Sequence, residues 1–336
     1  MTFTLSSVAG GSVPASTVWI ADRTAEEPDP TWETTLLRDA LRARGIQTEI
    51  INWDDLAFGM SRKSVLLAGE EVAPPTAMVV CSRVITRHTD GDVGLLFDWL
   101  DHLEESGVRL INQARALRAT ENKMRQAQIL HAAGVPVPET RVVRSVAEVE
   151  QCMQDWGELM IKPVHGHASI DVVRMRPKGK GYVQGELLGM REEITTWHLL
   201  QNHQLLCVQP YVPNPGRDIR ITIIDGTVMA SMFHISTASD GSVRHLLHPY
   251  TAAVCDPDPE LERVVLHATS ALGLDLATVD VVEGPDGPVV IEVNPTITLW
   301  RTLEGSEFDR SPAGITTAHA DVVARVMAPR ARQTTL

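Results

Sequence analysis

Toward the carboxyl-terminal part of the chain lies the run Asp280-Val-Val-Glu-Gly-Pro-Asp-Gly-Pro-Val-Val-Ile-Glu292-Val-Asn294, two apolar stretches around a turn of Gly, Pro and Asp. This pattern predicts a β-hairpin. With the turn centred near Asp286, Asp280 and Glu292 oppose each other across the strands. Asn294 shares the face of Glu292, because strand side chains repeat every second residue. Two carboxylates and an amide oxygen on one face suit Mg2+, a hard ion that completes its shell with water and phosphate oxygens. Mn2+ is the alternative ion. An ordinary hairpin with a solvated polar side would give the same sequence pattern.

Two lysines belong with these acids. Lys162 sits inside the apolar strand pattern Leu159-Met-Ile-Lys162-Pro-Val164, where a charge is out of place unless it meets an anion. Lys123 falls on the first turns of a helix, in Ala119-Thr-Glu-Asn-Lys123-Met. Lysine is a normal point-charge partner for phosphate, although either residue taken alone also reads as a solvated surface lysine. Between them, Val164-His-Gly166-His-Ala-Ser169-Ile-Asp171 is a turn of small residues. Its backbone N–H groups can cradle phosphate oxygens, or the segment can be a plain hairpin turn. His165 and His167 have no further soft ligands nearby, so no histidine-metal site is expected. Arg83 and Arg87 read either as surface residues or as holders of a substrate carboxylate.

The elements that must position these groups alternate in type. Ser16–Ala21, Gln47–Asn52, Ala77–Ser82 and Val108–Ile111 are strand-like, and Thr31–Arg44 and Leu95–Glu105 have helical spacing. Strands alternating with helices imply a doubly wound parallel sheet, with a boundary near Asn112. A helix over Glu121–Ala133 ends at Gly134, with Pro136 and Pro138 beyond it. Then come strands at Glu158–Val164 and Asp171–Met175, a mobile hairpin tip at Lys178–Gly181 and a helical pattern over Glu186–His203. A third block opens at Leu205–Tyr211 and is mostly strand: Asp218–Ile224, Thr227–Phe233, Val279–Val282 and Val289–Val293. Helices are expected at Glu260–Leu272 and Ala318–Met327.

A chain of 336 residues suits two or three packed subdomains. Its net charge of -13, with no basic stripe, argues against a nucleic-acid backbone as partner. No stretch approaches the roughly 20 apolar residues that span a bilayer. Cys81, Cys152, Cys207 and Cys255 are scattered without a CxxC pair, which favours buried free thiols and a cytoplasmic location. The first residues lack a basic start and an apolar core, so 1–15 read as a flexible leader rather than a signal peptide.

Taken in order, the pieces resemble the ATP-grasp superfamily and, within it, the RimK-like carboxylate–amine ligases, which share the glutathione synthetase type of ATP-binding fold. The resemblance runs from about Leu110 to Met327. It is carried by Asn112…Asn122-Lys123…Gly134-Val-Pro-Val-Pro138, Met160-Ile-Lys162-Pro, Val208-Gln209-Pro-Tyr211-Val212, Gly216-Arg-Asp218-Ile-Arg220 and the Asp280/Glu292/Asn294 set. It implies an α/β (α+β) ATP-grasp fold with a doubly wound amino-terminal domain over 16–112. The central ATP-grasp subdomain would be 113–205, and 206–330 the carboxyl-terminal subdomain with the magnesium site. By the same resemblance, Lys123 and Lys162 meet nucleotide phosphates, Gly166 and Ser169 belong to the lid loop, Gln209, Tyr211 and Val212 form the adenine hinge, and Asp218 lies near the ribose. Arg244 falls where the family often has an arginine reaching the phosphates or the acyl-phosphate, and Arg220 serves the substrate or the fold.

The sequence departs from the family at three places. Ser169 and Asp171 stand where lid glycines are usual, His234 replaces an arginine, and Pro295-Thr-Ile-Thr-Leu-Trp-Arg301 replaces a glycine-containing turn beside the acceptor site. The implied activity is an ATP- and Mg2+-dependent joining of a carboxylate to an amine, from small molecules or peptides, through an acyl-phosphate. A cyclo-ligase of a specialised-metabolite pathway and a nucleotide-binding regulator without turnover are the alternatives. A homo-oligomeric state is left open.

Overall fold

The computed structural model describes residues 17–23, 33–59, 64–86, 93–167, 169–178, 182–185, 192–236, 250–297 and 303–328. Its architecture is mixed α/β, built on three larger sheets and one small one. The expected hairpin tip after Lys178, together with Arg87, Arg244 and Thr298 to Arg301, lies outside the described residues.

The first sheet has the order β2-β1-β6-β7, with all pairings parallel: β1 Thr17–Asp22, β2 Gln47–Asn52, β6 Ala77–Val80 and β7 Arg109–Ile111. β1 and β6 are apolar runs buried along their whole length, as a sheet covered on both faces requires. Helices α1 (Glu33–Ala43) and α3 (Val93–Glu105), with the short α2 (Ser82–Thr86) between them, place their apolar residues, Leu37 and Leu41 of α1 and Leu96, Phe97, Leu100 and Leu103 of α3, in two separate core clusters. Between β2 and β6 the chain makes a small antiparallel sheet, β3 Leu56–Gly59, β4 Ser64–Leu67 and β5 Glu70–Val72, which the sequence reading missed. Its strands are too short for a convincing period-two pattern.

The helix expected over Glu121–Ala133 is present as α5 (Lys123–Ala132), and a separate helix that the sequence did not announce, α4 (Ala114–Glu121), precedes it. Asn122 has extended backbone angles and its side chain accepts from the Arg125 N–H, so it ends one helix and caps the next. The break puts Lys123 at the very start of α5.

The second sheet has the order β11-β10-β9-β12-β8: β8 Arg141–Val143, β9 Leu159–Pro163, β10 Val173–Lys178, β11 Tyr182–Gly185 and β12 Leu206–Pro210. β12 was expected to open the third block. It lies between β9 and β8, with Cys207 opposite Lys162, so the chain leaves this sheet only at Tyr211. Two helices accompany these strands. α6 (Val146–Trp156) starts with a reciprocal capping box between Ser145 and Glu148, a Ser-x-x-Glu signal that sequence reading overlooked. α7 runs over Glu192–His203.

The third sheet is antiparallel, in the order β15-β14-β13-β16-β17: β13 Arg217–Ile224, β14 Thr227–Ser236, β15 Tyr250–Val254, β16 Leu276–Gly284 and β17 Gly287–Asn294. One face carries Ile219, Ile221, Ile223, Val279, Val281 and Val293 and packs on α8 (Pro259–Leu272) and on α4 and α5. Helix α8 is bounded by an Asp258 cap, Pro259 in its first turn and Gly273 in the left-handed conformation. The other face is divided. Its Ile224, Ala230, Met232 and Leu276 join Val18, Ile20, Val79 and the closing helix Ile315–Met327 in one core. Further along the strands the same face turns polar.

Asn112 fastens the first sheet to the third. Its Nδ2 donates to Leu276 O and Pro295 O, each at 2.7 Å, and its Oδ1 accepts from the Asp275 and Leu276 N–H groups at 2.7 and 3.0 Å. All of this happens at a residue with 1% exposure. The side chain substitutes for a missing strand by pairing the backbone where β16 begins and β17 has ended. Asn112→Ala orphans these groups out of water and is expected to cost about 2–4 kcal/mol, read as a lowered thermal midpoint. A midpoint unchanged from wild type would show that water replaces the amide at no cost.

Candidate active site

The polar part of the third sheet is organised in rows. Arg220 on β13 lies opposite Asp280 on β16, and Asp280 lies opposite Glu292 on β17. The cross-strand acid pair expected from the hairpin is therefore present. Arg220 grips Asp280 with a two-pronged bond, Nε to Oδ1 at 2.8 Å and Nη2 to Oδ2 at 3.0 Å. Asn294 Nδ2 donates to Asp280 Oδ2 at 3.3 Å. On the far side, Lys123 Nζ is 2.8 Å from Glu292 Oε1 and donates to the Gly166 carbonyl at 2.6 Å. The row thus reads cation, anion, anion, cation. One row along β13, Asp218 faces His234 on β14, both fully buried, with Nδ1 and Oδ1 3.5 Å apart.

Lys162 enters from the second sheet and is nearly buried, its ammonium donating to the Ile291 carbonyl at 3.2 Å. These charges set each other's proton affinity. Burial, reinforced by the Lys123 charge, lowers the Lys162 pKa despite Glu292. Burial also acts to lower Lys123, but the Glu292 charge and hydrogen bond outweigh it and leave the pKa raised. Glu292 is opposed by burial and still drawn down to about 2 by the two lysines. Burial works against the Arg220 cation, and the Asp280 charge and hydrogen bonds overcome it.

Residues of both sheets line one cleft. Of the residues singled out in the sequence, Lys123, Lys162, Gly166, Ser169, Gln209, Tyr211, Val212, Asp218, Asp280 and Glu292 all lie on its walls. Arg220 and Asn294 stand beside it, each bonded to Asp280. The turn between β9 and β10 closes one side. Ser169 and Asp171, which stand where glycines were expected, both have φ of +57°, the left-handed conformation that glycine adopts most easily. Asp171 is held there by His203 of α7 at 2.7 Å. His167 pairs with Glu121 and His165 lies beside Asn122.

At the other end, the chain turns from β12 into β13 through a loop shaped by Asn214. Its Nδ2 donates to the Val212 carbonyl at 3.0 Å and to the Tyr211 hydroxyl at 3.2 Å, and its Oδ1 accepts from the Gly216 N–H. Gln209 is tied to Thr140 at 2.9 Å. The sequence reading missed Arg174, whose guanidinium carbon sits 3.5 Å over the Tyr211 ring. Glu158 accepts from Arg174 and Arg176 at 2.6 Å each. The alternation Arg174-Met-Arg176 on a strand was the available signal, since it puts both cations on one face.

The donor set fits a small hard cation. Among the described residues there is no group of three or more His, Cys, Asp and Glu that could hold a metal. A site here therefore relies on two acids and one amide, and Mg2+ is commonly held by one or two carboxylates with phosphate and water completing the shell. The Lys123 ammonium already occupies a position where Glu292 stabilises positive charge.

A model of the RimK-like ATP-grasp domain matches residues 120–309, more than half of the chain. The chain belongs to the RimK-like ATP-grasp family. It is 31% identical over 200 residues to a tetrahydromethanopterin:alpha-L-glutamate ligase of Methanosarcina acetivorans, the match covering 57% of this chain and 59% of that relative. A probable alpha-L-glutamate ligase of Coxiella burnetii is 27% identical over 268 residues, covering 78% of this chain and 82% of the relative. In structure the likeness of fold extends over nearly the whole chain. The ATP-grasp ligase PsnB, solved with a minimal precursor, superposes with a TM-score of 0.63 at 19% identity, covering 93% of this chain and 99% of that one.

The pKa of Glu292 has a measurable consequence. Because it lies below the ordinary 4.5, the carboxylate adds stability above that value, and this is lost as pH falls toward about 2. Glu292→Gln is expected to be less stable than wild type at neutral pH and to lose less stability on acidification from about pH 5. Parallel pH–stability curves for the two proteins would refute the lysine–glutamate coupling.

Proposed function

We propose that this chain is an ATP-dependent carboxylate–amine ligase that activates a carboxylate as an acyl-phosphate and transfers the acyl group to an amino acid. The observation that carries the proposal is the convergence, in one cleft, of two lysines from different elements on a cross-strand pair of acids. Phosphate chemistry asks for that arrangement: cations to neutralise the chain of phosphates, and acids to hold a metal beside them.

In this reading Lys123 leaves Glu292 for the phosphates when nucleotide enters, and Lys162 meets them from the second sheet. Asp280, Glu292 and Asn294 are the residues that hold Mg2+, which when bound supplies charge neutralisation at the β- and γ-phosphate oxygens. Arg220 keeps the Asp280 carboxylate oriented. The loop Tyr211–Asn214 frames the base, and Asp218 lies between that loop and the acid row, where the sugar falls. The substrate carboxylate oxygen bonds to the γ-phosphorus as its bond to the β,γ-bridging oxygen breaks, releasing ADP. The amine nitrogen then bonds to the carbonyl carbon, the C–O bond to phosphate breaks, and the nitrogen gives up a proton. Arg244 is proposed to stabilise the oxyanion of that step. The Gly166–Asp171 turn limits the access of water to the acyl-phosphate.

The amine is proposed to be an amino acid, with glutamate the first choice on the names of the two relatives. The test is ADP and phosphate release from Mg-ATP with L-glutamate and a panel of carboxylates and peptides, products being read by mass. Release that needs both partners, with a product mass equal to their sum minus water, is expected. Glu292→Ala and Lys162→Met are each expected to lower turnover by about 10²–10³-fold with the fold retained. Tight nucleotide binding without turnover on any pair would favour the regulator reading, and no Mg-ATP binding would end the proposal.

A further inference from the structure

The turn between β9 and β10 is fastened to the break between α4 and α5 residue by residue. Glu121 Oε1 lies 2.5 Å from His167 Nε2, and Asn122 Nδ2 lies 3.5 Å from His165 Nε2. The Lys123 N–H donates to the Val164 carbonyl at 3.0 Å. The Lys123 side chain then reaches past the turn. Its ammonium holds the Gly166 carbonyl at 2.6 Å and Glu292 Oε1 on β17 at 2.8 Å. A single side chain thereby ties the turn, which belongs to the second sheet, to the acid row of the third.

That ammonium sits among oxygens much as a small cation would, since carbonyl and carboxylate oxygens are the ligands a hard divalent ion takes. The two acids of the row have no charge to spare for such an ion. Glu292 is matched by Lys123, and Asp280 by the two-pronged Arg220. Lys162 adds a further cation near Glu292 from the second sheet. A free divalent ion would have to displace an ammonium from its carboxylate and settle among cations. A nucleotide meets the opposite situation, because its phosphates offer the lysine new anionic oxygens.

The two cations of the row differ in how readily they move. Arg220 is fixed by two parallel bonds from a rigid fork. Lysine is a point charge on a flexible four-carbon stem, and Lys123 can swing from one oxygen to another without breaking a planar match. Lys123 is the member of the row that can leave.

We propose that Lys123 is an internal counter-ion that keeps Glu292 closed to metal and pins the Gly166 turn to β17 in the ligand-free protein, so that a divalent cation enters with the nucleotide or after it, and not before. The proposal rests on the ligase reading for the identity of the metal ligands and adds to it an order of binding. When phosphate draws the ammonium away, one movement frees two partners: Glu292 for the cation, and the Gly166 carbonyl with its turn.

The experiment titrates Mn2+ alone into the full chain without nucleotide, with free ion read from the paramagnetic resonance of hydrated Mn2+. Wild type is compared with Lys123→Gln, which keeps a polar side chain at the position, and with Lys123→Met, which keeps the bulk of the stem. Lys162 remains near Glu292 in both, and thermal midpoints report the fold; should one variant unfold, the other decides. Each folded variant is expected to bind Mn2+ at least about 10-fold more tightly than wild type, and adding Glu292→Gln is expected to abolish the gain. Variants that bind Mn2+ no more tightly than wild type, or a gain that survives Glu292→Gln, overturn the counter-ion. Binding of an Mg-ATP analogue to wild type is measured alongside. Its absence would overturn the ligase reading, while the Mn2+ titrations, made without nucleotide, decide the counter-ion by themselves.

Discussion

Everything at this site depends on keeping four charges side by side, two adjacent carboxylates flanked by two cations. Arg220, Asp280, Glu292 and Lys123 form a line across one sheet face, and each carboxylate is matched by a cation at hydrogen-bond distance. Removing any one member leaves its neighbour charged and unpaired, a situation that costs more than the pair contributes when intact. The line is therefore tolerable only if the backbone holds it to within a fraction of an ångström. Antiparallel pairing does this, because cross-strand neighbours are fixed by the ladder rather than by flexible side chains.

That ladder is held in turn by parts of the chain far away in sequence. On its apolar face it packs against α8 and the α4–α5 pair, and Gln126 of α5 both donates to and accepts from the Val293 backbone. On its other face the apolar half is covered by the first sheet and the closing helix, and Asn112 fixes that junction. The strands therefore serve two masters: residues near Leu276 and Ile224 make a domain junction, and residues four to six positions on make a reactive surface. Lys123 belongs to the same scheme, since the break at Asn122 aims the start of α5 at the Gly166 carbonyl and at Glu292.

Much of this was legible because it follows from period and punctuation. The hairpin showed its turn through Gly284-Pro-Asp-Gly287, and parity then put Asp280, Glu292 and Asn294 on a common face. Lys162 betrayed itself by being a charge in an apolar strand. What was not legible depended on partners distant in the chain. Nothing local in Leu206–Pro210 says that it pairs with β9 rather than with the strands that follow it. The stacking of Arg174 on Tyr211 joins β10 to the residue just past β12 through side chains whose sequence neighbours are unremarkable. The start of α5 was legible near Asn122, whereas α4 before it, only eight residues long, was not. The small sheet after β2 was lost to brevity.

The left-handed Ser169 and Asp171 bear on how the cleft responds to a ligand. A glycine in either place would meet that geometry without penalty, whereas an L-residue pays roughly 1–2 kcal/mol for it. In exchange, the backbone of such a residue visits fewer shapes when it is free. A loop with glycines surrenders a large share of its conformational entropy each time it settles over a guest. Here much of that surrender has been made in advance, and the Asp171–His203 contact keeps it so. The turn trades amplitude of motion for readiness.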